Sequence, residues 1–170
     1  MFKRFYPREY YGSAFAIDFQ SYYARGYRAA LFDIDNTIVE HDAPYDDNAV
    51  SFFRKLKDTG FKVCLISNNE EGRVKPFAQG VKAQYIYGAG KPKAEGYLKA
   101  AGLLGCQKDE ILFVGDQIFT DILGANNAGI YSILVKPISG DPIFRIKLKR
   151  IGEKIILFFY KNSKYCNKKF

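Results

Sequence analysis

The stretch Ala29-Ala30-Leu31-Phe32-Asp33-Ile34-Asp35-Asn36-Thr37 constrains the fold more than any other. It begins as an apolar run and stops in two carboxylates one residue apart. A short apolar run bounded by polar residues reads as a buried strand. Ligands of open α/β sheets bind outside the carboxyl ends of the strands, so Asp33 and Asp35 stand where a strand delivers its chemistry. If the chain stays extended through Asp35, the two-residue period puts both side chains on one side. Two carboxylates held together repel, and a proton or a cation must neutralise one of them. A hard divalent ion such as Mg2+ is the usual companion of such oxygens.

Apolar runs at residues 62–66, 85–87, 111–114 and 131–135 read as further strands. Helical patterns at 47–59, 72–79, 92–103 and 119–127 separate them, with Asp46 or Asp47 as a cap, Gly60 as a stop and Pro92 in a first turn. Alternating strand and helix predicts an α/β, Rossmann-like parallel sheet with helices on both faces. Polar residues follow successive strands: Asp33 and Asp35, Ser67, Lys91, then Asp116 and Asp121. One acid after a strand is often a cap. A set of acids, a hydroxyl and a lysine, each at a strand end, is not explained that way.

At 170 residues and 48% hydrophobic, the chain can bury one proper core. Its net charge of +8 is uneven: residues 1–28 carry +3 and residues 141–170 carry +7, which leaves −2 between them. The expected organisation is an aromatic, basic lead-in over 1–28 packed on the core, a catalytic core over 29–140, and a basic amphipathic helix over 141–170. In that helix Pro142 sits near the start, and Phe144, Leu148, Ile151, Ile155 and Phe158 recur at helical spacing. Such a helix can lie on an anionic membrane, or its stripe can dock on the domain. Basic ends favour an anionic partner, a membrane surface or a nucleic acid, and solvated faces account for the charge equally well. The lead-in aromatics read as packing before nucleic-acid stacking.

Cys64, Cys106 and Cys166 show no metal spacing and fit a reducing compartment, with Cys64 as a small buried residue. The first residues lack the apolar stretch of a signal peptide. The late run Ile155-Ile156-Leu157-Phe158-Phe159-Tyr160 is far short of the roughly 20 residues that span a bilayer. A cytoplasmic protein, at most peripheral to a membrane, is expected.

A carboxylate can attack an electrophile and carry it covalently, and a phosphoryl group makes sense of the other residues. Mg2+ and Lys91 would neutralise its oxygens, while Ser67 and nearby backbone N–H groups would hold them. Gly88-Ala89-Gly90-Lys91 has the look of a P-loop, but Tyr85 occupies its first glycine position and Pro92 replaces its Ser/Thr. His41 reads as an exposed loop residue.

Asp33-Ile34-Asp35-Asn36-Thr37, Ser67, Lys91-Pro92 and Gly115-Asp116-Gln117-Ile118-Phe119-Thr120-Asp121 resemble, in order, the four motifs of the haloacid dehalogenase superfamily of phosphatases. Phe5-Tyr6-Pro7, Asp35-Asn36-Thr37-Ile38-Val39-Glu40, Ser67-Asn68-Asn69 and residues 115–129 extend the resemblance to the YqeG-type group of subclass IIIA. That group looks related to phosphatidylglycerophosphate phosphatases. The resemblance implies Asp33 as nucleophile and Asp35 as the acid that protonates the leaving oxygen, then activates water. Asp33, the Asp35 main-chain carbonyl and Asp116 would bind Mg2+, with Asp121 supporting the metal or Lys91. Ser67 and Lys91 would hold phosphate, and Thr37 and Asn68 would help position or bind it. Where the group more often has a doubled lysine before proline, this chain has Gly90-Lys91-Pro92-Lys93, so Lys93 is a conceivable substitute for Lys91.

Cap domains of the superfamily follow the first motif or lie between the second and third. Here each gap holds one loop-helix-strand stretch, so no cap and an open site are expected. The expected function is a Mg2+-dependent phosphomonoesterase working through phospho-Asp33 on a lipid phosphate such as phosphatidylglycerophosphate, with no nucleic-acid partner. The rivals are a phosphatase of soluble or protein phosphates, a phospho-acceptor switch, and an RNA- or ribosome-associated protein whose acidic pocket is vestigial.

Overall fold

The computed structural model describes residues 2–140 and 144–169, with the backbone alone over 144–150. Its strands are β1 (Glu9–Tyr11), β2 (Ala29–Phe32), β3 (Lys62–Ile66), β4 (Gln84–Ile86), β5 (Ile111–Gly115), β6 (Tyr131–Val135) and β7 (Lys168–Lys169). They form one sheet in the order β4-β3-β2-β5-β6-β1-β7, parallel throughout. The helices are α1 (Phe19–Ala24), α2 (Asp47–Thr59), α3 (Glu71–Val81), α4 (Glu95–Leu104), α5 (Leu123–Ala128) and α6 (Phe144–Lys161).

The apolar run at 29–32 is continuous because both of its faces are covered, as parallel strands between helices require. Ala30 and Phe32 pack into the core beneath α2 and α3, with Phe53 and Phe77. Ala29 and Leu31 point the other way, against Tyr97 and Ala100 of α4. The chain runs outward from β2 through β3 to β4, then crosses back to β5 and β6. The strand order therefore reverses between β2 and β5, the crevice where doubly wound sheets bind ligands. Phe32 pairs with Val114, which brings the carboxyl ends of β2 and β5 level there.

Local signals are obeyed at α2. The Asp46 side chain accepts the Ala49 N–H at 2.7 Å, and Gly60 closes the helix at φ 106°. Elsewhere the structure departs from the pattern. α4 starts at Glu95, not at Pro92. A π-helical stretch, Ile118–Ile122, precedes α5. The two ends of the chain add edge strands, β1 beside β6 and β7 beside β1. Neither has a readable alternation, because β1 buries an acid. Glu9, 5% exposed, accepts hydroxyls from Tyr11 (2.8 Å), Tyr22 (2.7 Å) and Tyr131 (2.8 Å). The other lead-in aromatics pack as rings, with Phe19 against Phe32, Phe52 and Phe61. Cys64 is buried, and burial pushes its thiol up to about 12.

α6 packs on the domain by a face other than the stripe read from the sequence. It docks through Glu153, Ile156 and Tyr160, the last two joining Tyr10, Ile118, Ile122 and Leu134 in a small core. Ile151, Ile155 and Phe158, read from the sequence as a stripe for a membrane or for the domain, are 60%, 55% and 64% exposed. Pro142 and the side chains of Phe144 and Leu148 lie outside the described residues. Between β2 and β3 come a loop and α2, and between β3 and Lys91 come α3 and β4. No cap domain is present among the described residues, and none of their helices is long and apolar enough to cross a membrane.

Candidate active site

Asp33 continues the ladder one residue past β2, its N–H donating to Val114 O at 3.0 Å. This holds its side chain at the crevice between β2 and β5, 8% exposed. Lys91, equally buried, reaches across to it: Nζ lies 2.6 Å from Asp33 Oδ1 and 2.6 Å from Asp121 Oδ1. Thr37 Oγ1 stands 3.5 Å from Asp33 Oδ2 and 3.4 Å from Asp116 Oδ1. Asp33, Asp116 and Asp121 are all buried and each brings an oxygen within 4.8 Å of the others.

Asp121 is aimed by its turn. Its Oδ2 accepts the Gln117 N–H at 3.0 Å, and the buried Tyr97 hydroxyl donates to its main-chain oxygen at 3.1 Å. At Gly115 a Cβ would lie 2.7 Å from the Asp121 carboxyl group, so only glycine lets that carboxylate fold back over the end of β5. From α6, Glu153 Oε1 accepts the N–H groups of Ile118 at 2.6 Å and Phe119 at 3.4 Å, which anchors the start of the π-helical stretch.

Lys91 is held by its backbone. Asn68 accepts the Lys91 N–H at 2.7 Å and donates its amide to the Lys91 carbonyl at 3.1 Å. Lys93 is exposed outside this arrangement. Ser67 is buried at the end of β3, where its Oγ accepts the Asn69 N–H at 3.1 Å.

The extended path through Asp35 does not persist. The N–H groups of Thr37 and Ile38 turn back to Ile34 O at 3.2 and 2.9 Å, and Asn36 is left-handed at φ 63°. The two carboxylates therefore part. Asp33 meets Lys91, while Asp35 accepts Asn69 Nδ2 at 2.7 Å, Arg73 NH2 at 2.8 Å and the Asp42 N–H at 2.9 Å. Arg73, from the first turn of α3, also donates to Ala43 O at 2.8 Å. No sequence pattern marked Arg73, because its partner lies 38 positions away. Nor was Asn36 singled out, whose Oδ1 accepts the Ser139 N–H and hydroxyl at 3.2 and 2.9 Å. His41 is partly buried, with 18% of its side chain exposed, and sits 3.4 Å from Asp42.

Burial pushes the Asp33 carboxyl up to about 7; Lys91 pulls against this, and the charges of Asp121 and Asp35 add to it. For Lys91, burial disfavours the charge, but Asp121 and Asp33 outweigh it and hold the amine well above its ordinary value. The site thus gathers three buried carboxylates, two of them on one ammonium. Clustered hard oxygen donors of this kind are what a divalent cation neutralises. The donor set fits such an ion through Asp33, Asp116 and Asp121; the Asp35 side chain stands apart, with Arg73.

Comparisons with known proteins agree with this geometry. Residues 39–129 match the family model of the haloacid dehalogenase-like hydrolases. Over 159 residues the chain is 34% identical to the probable phosphatase YqeG of Bacillus subtilis (strain 168), covering 92% of each. It is 24% identical over 139 residues to the chloroplastic/mitochondrial phosphatidylglycerophosphate phosphatase 1 of Arabidopsis thaliana, covering 72% of this chain and 38% of that protein. The fold is similar to that of the cobalt-bound form of deoxy-D-mannose-octulosonate 8-phosphate phosphatase from Haemophilus influenzae. That similarity has a TM-score of 0.51 at 13% identity and covers 78% of this chain and 88% of the other.

Proposed function

The chain belongs to the haloacid dehalogenase-like hydrolases and is a phosphatase of that family; we propose that it cleaves phosphomonoesters through a covalent phosphate on Asp33, with Mg2+ as cofactor and a lipid phosphate as substrate. The observation that carries the mechanism is the Lys91 ammonium bridging Asp33 and Asp121 at 2.6 Å each. One Asp33 oxygen is thereby held while the carboxylate attacks phosphorus.

In the first half, the new bond from Asp33 oxygen to phosphorus replaces the bond to the leaving oxygen, which takes a proton from Asp35. In the second half, Asp35 takes a proton from water. The water oxygen then attacks phosphorus, the bond to Asp33 breaks, and inorganic phosphate departs. Asn69 and Arg73 orient Asp35 for both transfers. Asn68 clamps Lys91, and Ser67 with Thr37 lines the phosphate position. Mg2+ held by Asp33, Asp116, Asp121 and the Asp35 main-chain carbonyl would supply charge to neutralise the phosphate oxygens.

Two features support a lipid phosphate. The site has no cap among the described residues, so a bulky substrate can reach it. A cavity of about 920 Å3 is lined by Ile38 and Val39, which follow Thr37 in the chain, with Phe15, Tyr45, Phe52 and Ile138 among others. Apolar lining of that size suits the hydrocarbon part of a substrate. The sequence likeness to a phosphatidylglycerophosphate phosphatase points the same way. This reading places the protein in the cytoplasm, at the membrane surface.

The test is phosphate release with Mg2+ from phosphatidylglycerophosphate in mixed micelles, against a panel of soluble phosphates. Release is expected to favour the lipid, to stop on chelation with EDTA and to return with Mg2+. Asp33→Asn should keep the thermal transition and lose turnover. Retained turnover in Asp33→Asn would overturn the covalent mechanism, and release from soluble phosphates alone would overturn the lipid assignment.

A further inference from the structure

We propose that the outward face of α6 is a docking surface for an anionic lipid bilayer. The helix has two apolar faces. One, through Ile156 and Tyr160, is buried in the small core with Tyr10, Ile118, Ile122 and Leu134. The other carries Ile151, Ile155 and Phe158 at positions i, i+4 and i+7, 60%, 55% and 64% exposed. At 3.6 residues per turn these three lie within one stripe, on the side of the helix away from Glu153 and Tyr160. Phe159, 46% exposed, borders the stripe, and Phe2 stacks on it with ring centroids 5.7 Å apart. Scattered exposed apolar residues are ordinary; a contiguous aliphatic and aromatic stripe marks an interaction surface.

Charge selects the occupant. Residues 144–169 contain a single acid, Glu153. It is 4% exposed and engaged with the backbone of Ile118 and Phe119. Lys154, Lys161 and Lys164 are exposed around the stripe, and Arg145, Lys147, Lys149 and Arg150 belong to the same helix. An apolar stripe on a basic helix is the combination that seats in the headgroup region of anionic bilayers. The opposite side of the same helix anchors the turn that carries Asp121. Docking would hold the helix that braces the Asp121 turn against the lipid surface, and in that respect the inference rests on the lipid-phosphate reading and names how its substrate is met.

The experiment is co-sedimentation of the full chain with phosphatidylcholine vesicles, with and without phosphatidylglycerol, alongside hydrolysis of a soluble phosphate. The comparison variant is Ile151→Gln/Ile155→Gln/Phe158→Gln, which leaves every charge and every buried residue in place. The wild type is expected to bind the anionic vesicles selectively, less so as salt rises. The variant should bind about tenfold more weakly or worse, with soluble-substrate turnover unchanged. Equal vesicle binding by both proteins would overturn the proposal, as would no binding by the wild type. So would a wild-type dimer in sedimentation velocity that the variant lacks, which would give the face to a second copy. Vesicle binding lost in the variant, with no hydrolysis by either protein, would uphold the docking surface and remove the phosphatase mechanism instead.

Discussion

Asp33 and Asp35 are separated by one residue and are held by different partners, Lys91 for the first and Arg73 with Asn69 for the second. The left-handed turn at Asn36 makes this division possible. If Asp35 is the acid–base of the proposed mechanism, Arg73 acts on the chemistry through it. Arg73→Ala should lower kcat about tenfold to a hundredfold, the scale of a mis-set general acid–base, with little change in KM. Arg73→Lys should recover part of the loss. A raised KM with kcat unchanged would assign Arg73 to substrate binding. At Gly115 the constraint is steric. Gly115→Ala puts a Cβ 2.7 Å from the Asp121 carboxyl group. Destabilisation by about 1–3 kcal/mol is expected, with activity falling further than the lowered melting temperature explains.

At the scale of elements, the residues just past the strand ends make the site. β2, β3 and β5 lead into Asp33, Ser67 and Asp116, and the π-helical stretch after β5 swings Asp121 back over the strand end. That stretch is braced from two sides, by Tyr97 of α4 and Glu153 of α6. Tyr97→Phe would leave the main-chain oxygen of Asp121 without this buried donor, a cost of about 1 kcal/mol. Turnover should fall with it, and phosphate-release assays beside thermal melts would check both. β2 to β6 were legible because their apolar runs are bounded by turn residues, and the capped helix α2 because Asp46 and Gly60 are local signals. The π-helical stretch was not legible, since its bracing comes from residues distant in the chain.

At the scale of the whole molecule, the ends of the chain close the sheet. β1 brings Glu9 beneath Tyr11, Tyr22 and Tyr131, three hydroxyls from separate segments. Burial disfavours the Glu9 charge, but the three hydroxyls outweigh it and hold its carboxyl below the ordinary 4.5. A depressed folded-state value stabilises the fold above the unfolded value, and that stability is lost as pH falls through the folded one. Glu9→Gln should therefore melt below the wild type at neutral pH, and the gap should close as acid protonates Glu9. Melting temperatures of both proteins across that range would show it; a gap independent of pH would mean that packing, not charge, links β1 to the core.

The alternation of strands and helices, the parallel sheet and the ordered set of Asp33, Asp35, Ser67, Lys91, Asp116 and Asp121 are all readable in the linear chain. Hydrophobic period and strand-end position are local properties, written within a few residues of one another. Three-dimensional packing alone settles which carboxylate meets Lys91, that Asn68 clamps the Lys91 backbone, and that Arg73 takes Asp35. It also settles that α6 docks by Ile156 and Tyr160 while Ile151, Ile155 and Phe158 face outward. These outcomes depend on contacts between residues far apart in the chain. On α6 the apolar residues occupy two opposite faces, and helical spacing alone does not say which of them meets the core.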